Sequence, residues 1–258
     1  MPPEKAEALV IRQADFSESS RVVTFFTREF GKSSALAKGA KRLKGPFEVS
    51  LDLLAHVRIV LYRKDSDVLD LVTESQLIKR FAPPQRTMLP LYSGYYVAEL
   101  LDLGTEPHDP HPDLFDLALE TLERLERETD SRWALLRFEL RWLREIGHLA
   151  ELDCCSLCGV EALSTSTERY WVTPGGLVCP RCGRPEYSES AIQFASVRLL
   201  RHLAEELSPL EEIIDSPELH DVPLDPSSIQ WKEVRRVVTA AVCHALDRRP
   251  KMLDYLKF

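Results

Sequence analysis

The chain has 258 residues, of which 44% are hydrophobic and 29% are charged, and it carries a formal net charge of -8. These values are typical of a folded globular protein with one large core or two modest ones. No apolar run is long enough to cross a bilayer, and the first residues lack the basic and apolar regions of a secretory signal. We therefore expect a cytoplasmic protein without a membrane segment.

Residues 6–80 contain β-branched and aromatic runs separated by turn-like sequences, which predicts five short strands. In HVRIVLYRK, the apolar side chains Val57, Ile59 and Leu61 alternate with a second face. Five short strands with turns between them indicate a small barrel or sandwich, and their lengths suit a five-stranded barrel of the OB type. In the last strand, the side chains predicted to share one face are Val68 or Leu69, Leu71 and Thr73.

A proline-rich segment at residues 82–90, APPQRTMLP, ends the strand pattern and is the best candidate for a domain boundary. Beyond it the hydrophobic period changes from two to 3.6, which predicts amphipathic helices. The predicted fold class is therefore α+β and multidomain, with a barrel domain at 1–81 and an α-helical domain at 82–258. Residues 208–226 are interpreted as a loop. The predicted helices lie at 91–104, 113–128 and 131–147, and after two capping boxes, Ser190 with Gln193 and Ser227 with Gln230.

Five of the six cysteines lie between residues 154 and 182, which favours metal ligation over disulfides in a reducing compartment. Two pairs have the spacing Cys155-x2-Cys158-x20-Cys179-x2-Cys182, at the edge of the usual range for a zinc site built from two knuckles. Four thiolates would close a tetrahedral site with no position for water, so the ion would be structural. A glycine follows each pair and permits the chain to reverse: Gly159 and Gly183.

Other interpretations of these cysteines stay open. Cys154 could replace Cys155, although its spacing to Cys158 would be poorer. The cysteines could also be unliganded or disulfide-bonded loop residues. A thioredoxin-type redox pair is disfavoured, because the pairs are duplicated and fall in predicted turns. Cys243 lies in an apolar helical stretch and fits a core position.

Positive charge is concentrated near the N-terminus. Residues 1–81 hold 14 basic and 11 acidic residues, a net charge of +3, whereas the remainder holds 19 and 30, a net charge of -11. Fields are screened within about 8 Å at physiological salt, so local charge governs the encounter with a polyanion. Residues 21–44 contain seven basic residues against one acid, Glu29: Arg21, Arg28, Lys32, Lys38, Lys41, Arg42 and Lys44.

This basic stretch predicts a phosphate-binding track on one side of the barrel, with aromatic side chains that stack on bases. Phe25 and Phe26 point to opposite faces of one strand, so one of them should belong to the core. A basic loop that is only solvated surface is the competing interpretation. The candidate stacking residues are Phe25, Phe26, Phe30, Phe47 and Tyr62.

Several stretches together resemble the bacterial RecO family of recombination mediators, over nearly the whole chain. The N-terminal likeness lies in EALVIRQADFSESSRVVTFFTREFGKSSALAKGAKR, and the helical likeness in YYVAELLD, LFDLALETLERL and FELRWLREIGH. LDCCSLCG and GGLVCPRCG are similar to the zinc knuckles of that family. By this resemblance the zinc ligands are Cys155, Cys158, Cys179 and Cys182.

The resemblance implies an N-terminal OB domain, a helical domain, and a zinc finger with one structural Zn²⁺ inserted at about residues 150–187. It implies binding to single- and double-stranded DNA, strand annealing, and a nucleoid-associated location. The implied partners are RecR and the C-terminal tail of single-strand binding protein, in a complex that helps load RecA during repair. Neither catalysis nor a small-molecule substrate belongs to this role.

Three functional hypotheses follow. In the first, a DNA-binding adaptor captures phosphates through a set of basic residues: Arg21, Lys32, Lys38, Lys41, Arg42 and Lys44. In the second, the helical domain is a scaffold that docks partner tails, with Arg137, Arg141 and Arg144 at a groove rim or on an ordinary solvated face. The third, an enzyme, lacks support, because the sequence has no P-loop, nucleophile motif or carboxylate cluster for metal-assisted hydrolysis.

Overall fold

The computed structural model describes residues 2–42, 47, 50–64, 69–127, 131–162, 169–173, 175–205 and 229–256. They belong to two compact units, the first formed by Met1–Ser131 with Pro250–Phe258 and the second by Arg132–Arg249. Within these described ranges, no helix combines the length and the apolar character needed to span a membrane. The predicted loop at 208–226 and the predicted cap at Ser227 lie outside the described residues.

The first unit is built around a closed barrel of five strands, as the sequence predicts. The strand order is β1-β2-β3-β5-β4, and neighbours are antiparallel except for the parallel pair β3 and β5. Closure pairs every strand on both sides and leaves no open sheet edge. The predicted OB-type barrel is thus confirmed. The strands are β1 (Glu4–Asp15), β2 (Arg21–Thr27), β3 (Gly31–Ala37), β4 (His56–Tyr62) and β5 (Asp70–Lys79).

Alternating side chains fill the barrel interior. Val57, Ile59 and Leu61 of β4 are fully buried while their neighbours along the strand are not, which confirms the pattern predicted for this strand. Phe25 of β2 and Phe47 belong to the same core. Burial of apolar area at about 25 cal/mol per Å² drives the strands to close around these side chains.

Strand β5 has the opposite phase from the prediction. Its buried positions are Asp70 and Val72, whereas Leu71 is only half-buried. A carboxylate can occupy an inward position because its hydrogen bonds are made: Asp70 accepts from the Ser33 hydroxyl at 2.6 Å and from the Lys64 N–H at 2.9 Å. The apolar pattern predicts that Leu71 points into the core. This prediction is wrong because the two hydrogen bonds allow the Asp70 carboxylate to take the inward position, which turns Leu71 to the other face of the strand.

Two helices of the first unit, α1 (Leu89–Gly104) and α2 (Pro112–Arg127), pack against the barrel. A short 3₁₀ helix at Lys251–Asp254 returns to α1, where the Glu99 carboxylate accepts the N–H groups of Lys251 and Met252 at 2.8 Å each. Free N–H groups at a helix start need such an acceptor. The chain end is thereby fastened to the first unit.

Apolar and ionic contacts fasten α2 to the barrel. The rings of Phe26 in β2 and Phe115 in α2 have centroids 6.4 Å apart. The Arg28 guanidinium donates two hydrogen bonds to the Asp116 carboxylate, at 2.6 and 2.7 Å. Bidentate pairs of this kind fix orientation as well as distance. The predicted domain boundary after residue 81 stays a prediction. The first compact unit extends past residue 81 and also includes α1 and α2.

The second unit combines helices with a three-stranded antiparallel sheet of order β7-β6-β8. In this unit the rings of Trp133 and Trp231 pack together, with centroids 5.0 Å apart. The fully buried Glu139 carboxylate pairs with Arg235 and so ties two helices together. The elements are α3 (Ser131–Glu145), β6 (Arg169–Thr173), β7 (Gly176–Val178), β8 (Ala191–Gln193), α4 (Phe194–Glu205) and α5 (Ile229–Ala245).

One helix begins later than its capping box predicts. The pattern at Ser190 predicts a helix from the next residue, but residues 191–193 form strand β8, which pairs with β6, and α4 begins at Phe194. The Gln193 N–H donates to the Glu233 carboxylate of α5 at 3.1 Å. Sheet pairing and this hydrogen bond override the local capping signal, as tertiary contacts commonly do.

Candidate metal centre and nucleic-acid surface

Four cysteine side chains of the second unit converge on one point: Cys155, Cys158, Cys179 and Cys182. Their sulfur atoms all lie within 4.8 Å of one another, and the Sγ atoms of Cys158 and Cys179 are 3.7 Å apart. Sulfurs at about 2.3 Å from a tetrahedral zinc ion are about 3.8 Å apart, so the cluster has the size of a metal site. These residues could hold a metal ion, in agreement with the predicted ligand set.

Each cysteine pair lies in a tight turn. In the first turn, the Gly159 N–H donates to the Cys155 carbonyl oxygen at 2.8 Å. In the second, the N–H groups of Cys182 and Gly183 both donate to the Cys179 carbonyl oxygen at 3.0 Å. Gly159 has φ +69°, a conformation that favours glycine, which confirms the reason predicted for it. The turns aim two sulfurs each at the same point.

Gly183 is required for a different reason, namely packing. A Cβ atom at this position would lie 2.2 Å from the ring of Trp171 in β6. No side chain fits at that distance, so glycine lets the second turn lie against the indole ring. The small sheet is therefore the platform on which the second pair of cysteines rests.

The thiols of the cluster differ in acidity. Burial opposes ionisation of Cys155, but backbone N–H donors, the Cys179 N–H first among them, outweigh it and lower its pKa to about 6. Hydrogen bonds shared with Cys158 and Cys179 raise the pKa of Cys182 to about 12. The fold stabilises one thiolate and resists a second charge beside it. A divalent cation removes this conflict, which fits a metal-binding donor set.

The remaining cysteines lie outside the cluster. Cys154 is half-buried, and its sulfur is not among the four that lie together. The structure therefore brings Cys155, rather than Cys154, to the other three cysteines. Cys243 is half-buried in α5, where burial raises the pKa of its thiol.

Three strand ends meet at one end of the barrel, and four predicted DNA-binding residues lie there. Asp15 at the end of β1 pairs with Arg21 at the start of β2, and Arg21 pairs with Ala37 at the end of β3. The turn that follows β3 carries the other cations. Among the described residues, no ion-pair partner is found for the exposed side chains of Lys38 and Arg42. We call this set the basic end of the barrel: Arg21, Lys38, Lys41 and Arg42.

Two of the four cations share an acid. The Asp15 carboxylate lies 2.8 Å from Lys41 Nζ and 3.4 Å from Arg21 Nε. The hydrogen bond from Lys41 is the main cause of a lowered pKa for Asp15, which is therefore an anion at neutral pH.

Lys32 does not join the basic end. It lies six residues before Lys38 along β3, a distance of about 20 Å in a strand. Its ammonium donates to the Asp102 carbonyl oxygen of α1 at 2.5 Å, and its side chain is only 14% exposed. Burial lowers the pKa of Lys32. The structure thus gives this lysine a partner within the first unit. Lys44 lies outside the described residues.

Most of the predicted stacking residues are not available. Phe25, Phe26 and Phe47 are all buried, so both phenylalanines of β2 are internal rather than one of them. Phe30 is half-buried, and Tyr62 is exposed. Phe26 is internal because α2 covers the outer face of β2, a contact that strand alternation does not reveal.

The sequence reasoning missed an exposed aromatic residue at the basic end. Phe16 follows Asp15 in the turn between β1 and β2, and its side chain is 61% exposed. The signal was present in the sequence, since an aromatic residue among serines and glutamates of a turn has no strand face on which to be buried.

The arginines proposed for a groove rim in the helical part differ in their exposure to solvent. Arg137 is buried, Arg141 is half-buried and Arg144 is exposed. Because Arg137 is buried, it lies neither at the rim of an open groove nor on a solvated face of the helix.

Known proteins resemble this chain along both of its parts. The family model described as "Recombination protein O N terminal" matches residues 1–81, and "Recombination protein O C terminal" matches residues 85–253. The chain is 42% identical over 219 residues to the DNA repair protein RecO of Rhodopirellula baltica, covering 84% of this chain and 77% of that protein. The protein of the same name from Myxococcus xanthus is 30% identical over 251 residues, 97% of this chain and 95% of its own.

The chain combines a closed barrel that has a basic end with helices and a four-cysteine cluster. Together with these matches, the features define a class of DNA repair proteins. The chain belongs to the RecO family. The resemblance seen in the sequence is thereby confirmed.

Proposed function

We propose that this protein is a recombination mediator. It binds single- and double-stranded DNA, anneals complementary strands and, with RecR, helps load RecA onto DNA coated by single-strand binding protein, whose C-terminal tail it contacts. Membership of a family of DNA repair proteins supports this proposal. In the cell it would act in association with the nucleoid.

The observation that carries DNA binding is the excess of positive charge at the basic end, where Lys38 and Arg42 are exposed. Four cations against two acids at the end of β1 and in the turn after it, Asp15 and Glu18, give this surface a local charge of +2 in a protein of net charge -8. When such cations neutralise DNA phosphates, the counterions condensed on the DNA are released, and this release favours binding. Contacts to the backbone of a strand leave its base edges free, so a second strand can pair with it.

We propose the following division of labour along the chain. Residues 1–81 form the OB domain that binds DNA, and residues 82–258 form the helical domain that contacts partners. A zinc finger is inserted in the latter at about residues 150–187. One Zn²⁺ held by the four clustered cysteines would give this segment, which has little core of its own, a fixed shape.

Zinc content tests the metal proposal. Purified wild-type protein should contain one zinc per chain by atomic emission. Cys179→Ser should lose the metal and unfold at lower temperature, since a structural site contributes directly to folding. Cys154→Ser is the matched control and should keep both the metal and the melting temperature. Equal loss of zinc from both variants contradicts the assigned ligand set.

Salt-dependent DNA binding tests the main proposal. Fluorescence anisotropy with a labelled single-stranded oligonucleotide should show affinity falling steeply with salt. The Lys41→Ala/Arg42→Ala variant should bind more weakly, with a log-log slope smaller by about 1.4, since each lost phosphate contact removes about 0.7. Lys5→Ala/Arg58→Ala, which removes two exposed cations from other positions on β1 and β4, is the control. A flat salt response of the wild type contradicts DNA capture by this surface.

Pull-down experiments test the partners separately. Single-strand binding protein should be retained only when its C-terminal tail is present, and RecR should be retained without DNA. Retention of the partners by a protein that shows no DNA binding would favour the scaffold hypothesis instead.

A further inference from the structure

Asp15 is an acidic side chain set among cations that the proposed function assigns to DNA. Its carboxylate contacts both Lys41 and Arg21, yet the side chain is 69% exposed. Ion pairs at such exposure contribute little to folding. Asp15 is therefore shared by two cations of the basic end and offsets one positive charge, without being needed by the core of the barrel.

The two cations are positioned by more than this carboxylate. The Lys41 N–H donates to the Ser19 carbonyl oxygen at 3.2 Å, which ties the turn after β3 to the turn after β1. The Arg21 guanidinium also donates to the Gln13 side chain at 3.3 Å. Because strands and turns fix both residues, removal of the Asp15 charge leaves a preformed site for one anionic group.

An exposed aromatic ring belongs to the residue that directly follows Asp15 in the chain. Phe16 follows Asp15, and its N–H donates to the Ser20 carbonyl oxygen at 3.1 Å, while the Ser20 N–H donates to the Ser17 hydroxyl at 3.2 Å. These bonds close the turn that presents the ring to solvent. Nucleobases stack on such rings with little sequence preference. A nucleotide carries one phosphate and one base, which matches an anion site next to an exposed ring.

We propose that Asp15 occupies the position of a nucleic-acid phosphate, and that Arg21, Lys41 and Phe16 form a nucleotide subsite. The proposal rests on the proposed function, namely that the basic end binds single-stranded DNA. In the free protein the carboxylate holds both cations, and an arriving strand displaces it and takes over its ion pairs. Asp15 is then an internal competitor that weakens binding and speeds release, as strand exchange during annealing requires.

The first test compares Asp15→Asn with Glu18→Gln by anisotropy on a labelled oligothymidine across a salt series. Both variants remove one negative charge from an exposed position at the same turn, but only Asp15 contacts the cations. Asp15→Asn should bind about three- to tenfold more tightly and with a steeper salt dependence, because two freed cations then carry counterions. Glu18→Gln should change the affinity less than about twofold.

Two further variants localise the effect. In an Arg21→Ala/Lys41→Ala background, Asp15→Asn should no longer tighten binding, because the cations it released are absent. Phe16→Leu keeps an apolar side chain but no ring, and should weaken binding at least about fivefold, whereas Phe16→Trp should not. An oligonucleotide with 2-aminopurine reports stacking directly, and its fluorescence should be quenched by wild type and by Phe16→Trp only.

Each remaining outcome decides the matter. Equal gains from Asp15→Asn and Glu18→Gln overturn the proposal, because general charge then explains both. Weaker binding by Asp15→Asn also overturns it, since the carboxylate would then position the cations for DNA. Unchanged binding and quenching in Phe16→Leu remove the base-stacking part. Absence of binding by the wild type overturns the proposed function instead, so the two failures are distinguishable. Circular dichroism checks that each variant is folded.

Discussion

The two ends of strand β3 carry the same kind of side chain in different surroundings. Lys32, at the start of the strand, donates to α1 and is largely buried. Lys38, directly after its end, is exposed, and no ion-pair partner is found for it in the described part of the chain. The sequence alone predicts that both lysines bind DNA phosphates. Their difference comes from the helices of the first unit, which cover one end of the strand.

This contrast shows how a small barrel can use one strand for two purposes. At the covered end, the backbone of Lys32 accepts the His108 N–H at 2.9 Å, so the loop between α1 and α2 is joined to the strand. At the uncovered end, Lys38 and Arg42 face solvent and are available to a polyanion. Whether a basic residue of this strand stabilises the fold or can bind a ligand therefore depends on whether a helix covers it.

The largest expected effect is a loss of stability. It should differ between substitutions of the glycine at the start of β3 and the glycine after its end. Gly31 has φ +66°, and a Cβ atom there would lie 2.0 Å from the Asp109 carbonyl oxygen. Gly39 has φ +78°, but its nearest neighbour would be the flexible Arg42 side chain at 3.6 Å. Gly31→Ala should cost about 3–5 kcal/mol, since strain adds to overpacking, and Gly39→Ala only about 1–2 kcal/mol. Urea unfolding followed by circular dichroism measures both.

Equal losses for the two glycine variants would contradict the comparison. They would mean that the loop at Asp109 yields to the new side chain, and that the covered end is not held firmly by the helices.

The sequence predicts the elements that depend on local pattern and misses those that depend on contacts between elements. The closed barrel, the first three helices and the four-cysteine cluster follow from alternation, amphipathic period and ligand spacing. The burial of Phe26 and the role of Lys32 depend on helix residues that lie 70 or more positions further along the chain. The inward position of Asp70 depends on two hydrogen bonds that no local pattern shows.

The next effect concerns DNA and uses the same substitution at both ends. Lys38→Met removes an exposed charge and should weaken binding to single-stranded DNA about three- to fivefold, with a salt slope smaller by about 0.7. Lys32→Met removes a charge already held by α1, so affinity should change less than about 1.5-fold. Anisotropy titrations at several salt concentrations give both quantities. A larger loss of affinity from Lys32→Met than from Lys38→Met reverses the assignment of the two ends.

The smallest expected effect is a dependence of stability on pH at the covered end. Burial lowers the pKa of Lys32 below that of the unfolded chain. Between the two values the unfolded chain binds more protons than the folded protein, so the free energy of unfolding rises with pH there. The advantage of wild type over Lys32→Met should therefore grow as pH rises from neutral towards the unfolded lysine pKa of about 10.4.

Lys79 provides the control of opposite sign for this measurement. Hydrogen bonds to Glu126 and Glu123 raise the pKa of Lys79, the former being the larger cause. Its contribution is complete below the unfolded pKa and is lost only as pH rises above about 10.4 towards the folded value. The difference between wild type and Lys79→Met should thus stay level over the range in which the Lys32→Met difference grows. Parallel curves for the two variants would show that Lys32 is not buried by α1, and the two ends of β3 would then be alike.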